Sequence, residues 1–120
     1  VIDESDDELV SMTAKPTALG YLRRDVSGVT QTWHETQIRS LASRLGYELA
    51  KTVVFGANTS EPLARLVDAV RKIDADAVIV PDLHHIGPDV PTELVGVCEV
   101  ITVHPHHTYP RNPIPNPFDA

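Results

Sequence analysis

Several features are scarce in this 120-residue chain, and each scarcity excludes something. A single cysteine, Cys98, rules out an internal disulfide and fits a reducing compartment. It sits in the run Val95–Val100, which reads as a buried, inert thiol rather than a nucleophile. No apolar stretch approaches the length of a membrane span. The acidic start is opposite in charge to a secretory leader, so the expected location is the cytoplasm. Positive charge is short as well. Ten Lys and Arg face seventeen Asp and Glu, a net charge of −7. Such a chain lacks the broad basic surface that duplex DNA requires, so DNA binding by this chain alone is not expected. Neither G-x-G-x-x-G nor G-x-x-x-x-G-K-S/T occurs, which removes the common phosphate-cradling classes, and no cofactor is expected.

What is present reads as one α/β domain between two tails. Residues 3–8 hold five carboxylates, and without them the remainder carries only −2. Residues 1–16 read as a solvated acidic arm. Thr17–Arg23 is a first strand, and the polar stretch after it carries Arg23, Arg24, Asp25 and Ser27. Thr32-Trp33-His34-Glu35 fits a capping box. Ile38, Leu41, Ala42 and Leu45 then mark one helix face, and Gly46 provides the stop. Tyr47–Phe55 is a second strand, and Leu63, Leu66, Val67, Val70 and Ile73 mark a second helix entered through Pro62. Ala77–Val80 and Glu99–Val103 are further short strands, with a short helix within 91–97. Five prolines after His104 argue for a tail over 105–120. Strands alternating with helices imply a three-layer, Rossmann-like domain over 17–104 with a four-stranded, mainly parallel sheet. Its functional edge is the one at the carboxyl ends of the strands.

Two chemistries arise from residue types alone. A serine beside arginines can attack a phosphodiester, with Ser27 as nucleophile and Arg23 stabilising the developing charge; the bland reading is a turn with solvated arginines. Five imidazoles, His84, His85, His104, His106 and His107, follow the third and fourth strands and are candidate metal ligands, although their spacing matches no metal motif.

Residues 18–103 resemble the catalytic domain of serine recombinases, the resolvase/invertase family. The likeness rests on four pieces: Gly20-Tyr21-Leu22-Arg23 with a serine soon after; Gln37 ahead of Leu41, Ala42 and Gly46; Ser60-Glu61-Pro62-Leu63; and Asp76–Val80 leading to Leu83-His84-His85-Ile86-Gly87. The resemblance implies a first catalytic arginine at Arg23. Strict spacing puts Asp25 in the nucleophile's place, and a two-residue slip brings in Ser27. The family's Arg-Pro is Glu61-Pro62 here, and its Lys-Leu-Asp-Arg-Leu-x-Arg is Asp82-Leu83-His84-His85-Ile86-Gly87-Pro88. Each lost cation costs about 3 kcal/mol of barrier, so cleavage should fail. The family's long helix after the fourth strand is replaced by prolines.

The leading expectation is therefore a catalytically degenerate resolvase-like domain acting as a binding or regulatory module. Its partners would be a protein or a small anion held by Arg23, Arg24, Ser27, Gln37, His84 and His85. The alternatives are an active phosphoryl-transfer enzyme using Ser27 and a metal-binding protein using the histidines. Homo-oligomerisation stays open.

Overall fold

The computed structural model describes residues 15–112; the acidic stretch 3–8 and residues 113–120 of the expected tail lie outside the described residues. Thr17–Arg23 (β1) is buried along nearly its whole length, as a central parallel strand must be. The chain then forms a four-residue helical turn, Arg24–Ser27 (α1), a 3₁₀ turn over Gly28–Thr30, and the long helix Gln31–Leu45 (α2). The capping box expected at Thr32 is not formed. Backbone from Arg24 onward is already largely helical, so α2 begins at Gln31, whose side-chain amide donates to Glu35 at 2.9 Å. Gly46 ends the helix at φ 83°, a left-handed conformation that glycine adopts without penalty.

Glu48–Phe55 (β2) pairs parallel to β1, and Pro62–Ile73 (α3) follows. Ala77–Val80 (β3), the short helix Thr92–Val95 (α4) and Glu99–Thr102 (β4) complete the parallel part. The sheet has five strands, not the expected four, in the order β2-β1-β3-β4-β5. The fifth, His107–Tyr109 (β5), pairs antiparallel to β4 and falls inside the segment expected to be a tail. Pro105 and Pro110 flank this strand rather than interrupt it, and β5 is an edge strand needing hydrogen bonds on one side only.

Two cores result, one on each sheet face. Ile38, Leu41 and Ala42 of α2 pack on Ala18, Leu22, Ala77, Ile79 and Ile101. Leu66 and Val70 of α3, with Leu94, pack on Leu19, Tyr21, Val78, Val80 and Val100. Three layers therefore form because successive residues of β1 and β3 point to opposite faces and both sets are apolar. Cys98 belongs to the second core, and burial pushes its thiol up to about 12. It stays protonated and inert. Among the described residues no helix is long and apolar enough to cross a membrane.

Gly20 lets α2 approach the sheet. A methyl group built on it would lie 2.6 Å from Thr52 Oγ1 and 2.8 Å from Ile38 Cγ2. Gly20→Ala should lower unfolding stability by about 1–3 kcal/mol through overpacking, read as a lower urea midpoint at unchanged slope.

Candidate functional site

Chain reversal fixes where the site lies. From β1 the chain crosses outward to β2, then back past β1 to β3, so the topological switch falls between β1 and β3. In open α/β sheets the crevice beyond these carboxyl ends is where ligands collect. Here His85 occupies it. The 3₁₀ turn Leu83–His85 begins where the Asp82 carboxylate accepts the His84 backbone N–H at 2.8 Å, and that turn drives the His85 ring inward until it is 1% exposed.

The ring meets the end of β1. Arg23 backbone N–H donates to His85 Nδ1 at 2.9 Å, satisfying a group that leaves the sheet ladder there. An accepting Nδ1 requires a neutral imidazole carrying its hydrogen on Nε2, and that Nε2 is buried without a hydrogen-bond partner. Burial pushes the His85 pKa below the ordinary histidine value, with Asp82 opposing and His34 and His84 adding to the shift.

Ser27 lies on the same side of the edge. The turn Arg24–Ser27 is broken at Gly28, whose φ of 56° and ψ of −132° favour glycine, and Ser27 is left 6% exposed. Its Oγ is 2.7 Å from His34 Nδ1, and the His34 ring stands edge-to-face with His85 at a centroid distance of 5.6 Å. His34 was not among the residues the sequence singled out. The available signal was spacing: Ser27 and His34 are seven apart, which puts them on one face of a largely helical run.

The arginines separate. Arg23 closes on Asp25 through two hydrogen bonds, Nε to Oδ1 at 3.2 Å and a terminal nitrogen to Oδ2 at 2.9 Å. Its charge is thereby offset within the turn. Arg24 points the other way, over the loop after β2, where a methyl group on Gly56 would lie 3.0 Å from its guanidinium. It lines a groove of about 660 Å³ with Asp25, Gly28, Gln31, Asn58 and Thr59. Among the described residues Arg24 joins no ion pair.

The remaining expected residues scatter. Gln37 lines a small crevice beside His34. His84 is exposed and its Nδ1 sits 3.2 Å from Asp82. His104 and His106 are exposed, and His107 stacks on Tyr109 at 4.4 Å. Of the five histidines expected to crowd one edge as metal ligands, His84, His106 and His107 border one cavity of about 630 Å³, while His85 is buried at the end of β1 and His104 borders the crevice beside His34. Among the described residues, which include every histidine, no three His, Cys, Asp or Glu side chains are placed to hold a metal ion. The physical reason is that His85 turns inward to serve Arg23, His84 is held by Asp82, and His107 follows the β5 pleat.

No family model, curated protein or solved structure matches the chain. The class it defines is a three-layer α/β domain with a mixed five-stranded sheet and a histidine-filled switch point.

His85 also sets a pH dependence. The unfolded chain takes up the proton near pH 6.5, whereas the folded chain resists it to lower pH. The contribution is fully present above pH 6.5 and is lost as pH falls below that value towards the depressed folded pKa. Urea unfolding between pH 7.5 and 5 should show stability falling with a limiting slope of about 1.4 kcal/mol per pH unit from this residue. His85→Asn should flatten that part of the curve.

Proposed function

We propose that this domain is a binding or regulatory module that takes a small anion at its strand-end edge without cleaving nucleic acid. It extends the resemblance to serine recombinase catalytic domains, as a member whose cleavage chemistry is lost. The observation that carries it is the opposite fate of the two arginines. Arg23, the cation a phosphoryl-transfer site would need, is closed on Asp25. Arg24 is exposed on the groove after β1 and β2 with polar Asn58, Thr59 and Gln31 around it. Because Asp25 is offset by Arg23, the carboxylate beside Arg24 repels an incoming anion less than its formal charge suggests. Ser27, buried under His34, is shielded from any substrate as large as a DNA strand.

Titration with inorganic phosphate at constant ionic strength, followed through the backbone amides of Gly28, Gly56 and Asn58, tests this. Losing a charge-assisted hydrogen bond worth about 1.5–3 kcal/mol, Arg24→Gln should weaken binding at least tenfold, while the paired change Arg23→Gln with Asp25→Asn, which removes the ion pair without unmasking the carboxylate, should leave it within about twofold. Phosphate that follows Arg23 instead would defeat the proposal.

A second reading draws on one specific distance. Ser27 Oγ at 2.7 Å from His34 Nδ1 is a nucleophile–base geometry. In that reading Ser27 Oγ bonds to phosphorus as its proton passes to His34, the P–O bond to the leaving strand breaks, and the released strand oxygen takes a proton from water to end as a hydroxyl. It requires nicking of supercoiled DNA and a covalent protein–DNA adduct, both abolished in Ser27→Ala. The leading proposal expects neither in the wild-type protein.

A further inference from the structure

Beside His34, the amino-terminal half of α2 meets the loops after β3 and β4 around a crevice of about 110 Å³, with Trp33, Gln37, Pro81, Asp82, Val103 and the exposed His104 on its walls. The tautomer of the neutral His34 ring is argued from its contact with Ser27. The Ser27 hydroxyl is buried, and a buried hydroxyl hydrogen without an acceptor costs about 1–3 kcal/mol. His34 Nδ1 lies 2.7 Å from Ser27 Oγ, and in the tautomer that leaves no buried hydroxyl hydrogen unmet Ser27 donates and Nδ1 accepts. The neutral ring then carries its hydrogen on Nε2, the one donor left to His34, and the residue borders the crevice.

The other walls define what that donor would meet. Asp82 uses Oδ1 for both of its contacts with His84, which leaves Oδ2 as an acceptor. Gln37 brings an amide that both donates and accepts. No lysine or arginine lines the crevice, and the Asp82 carboxylate opposes an anion there. Trp33, Pro81 and Val103 provide flat or apolar surfaces. Donors from His34 and the Trp33 indole, the Asp82 acceptor, and Gln37 and His104, which each donate and accept, suit a small planar group with a carbonyl on one side and an N–H on the other.

We propose that this crevice is a binding site for a carboxamide group, with the carbonyl on His34 Nε2–H, the amide N–H on Asp82 Oδ2, and Gln37 completing the contacts. The source is a small free amide or the side chain of an asparagine or glutamine presented by a partner. The site is separate from the Arg24 groove, so it stands or falls independently of anion binding.

The test compares isosteres on the full chain at pH 7.5. Acetamide, nicotinamide and acetate are titrated while the Gln37 side-chain amide and Trp33 indole N–H resonances are followed. Acetamide should give saturable shifts at both, and acetate should bind at least fivefold more weakly. Nicotinamide binding more tightly than acetamide assigns the site to aromatic amides; equal affinity assigns it to a simple amide head such as a side chain. Gln37→Leu should weaken acetamide at least fivefold with the backbone spectrum otherwise preserved. Asp82→Asn, which keeps an acceptor for His84 N–H, should narrow the preference for acetamide over acetate, and Arg24→Gln should change nothing here. Acetate binding as well as acetamide, an unchanged affinity in Gln37→Leu, or no shift at 100 mM amide would each overturn the assignment.

Discussion

The contact between Arg23 N–H and the His85 ring ties the end of β1 to the turn after β3 at the one place where the sheet changes direction. A strand that stops there leaves a donor facing a low-dielectric edge, and such a donor must be met. Had a ligand met it, the crevice would be open. In this chain a side chain meets it, and the ring that does so must be neutral, with Nδ1 accepting. That single requirement closes the switch point and makes stability depend on proton concentration. It also sets the ring against which His34 stands edge-to-face.

Two consequences run outward from it. On one side, the turn Arg24–Ser27 folds back beneath His34, so the serine is sealed by an imidazole rather than presented on a loop. On the other, Arg23 has its backbone N–H met by His85 and its guanidinium paired with Asp25. Among the described residues the cation outside any ion pair at this edge is Arg24, which lines the groove beside the loop after β2. An edge with the residue types of a phosphoryl-transfer site is thus arranged so that its nucleophile is covered and its nearest cation is engaged.

The layers were legible because they follow from periodicity. Ile38, Leu41 and Ala42 recur at helical spacing and do pack on the sheet, and Ala77–Val80 reads as buried and is buried on both faces. What escaped was structure made by few residues. Strand β5 has three residues between prolines, too few for an alternating pattern to register, and it exists because β4 offers it an edge. The stretch after Arg23 reads as a loop because Gly28 punctuates it, yet Gly28 ends only a first helical turn, and a 3₁₀ turn over Gly28–Thr30 leads straight into the next helix. The site was half legible. Arg23, Ser27 and His85 were singled out and do converge. His34 was passed over because its pairing with Ser27 shows only once Arg24 onward is known to be helical, and the division between Arg23 and Arg24 depends on side-chain direction, which spacing does not encode.

The central proposal is that Arg24 rather than Arg23 holds a small anion while Ser27 stays covered. A crystal structure grown with inorganic phosphate tests it most directly. The account predicts phosphate against the Arg24 guanidinium in the groove beside Gly56, with Arg23 still on Asp25 and Ser27 still on His34. Phosphate on Arg23, with Asp25 displaced and the Ser27 hydroxyl turned towards it, would contradict the account and restore a catalytic edge.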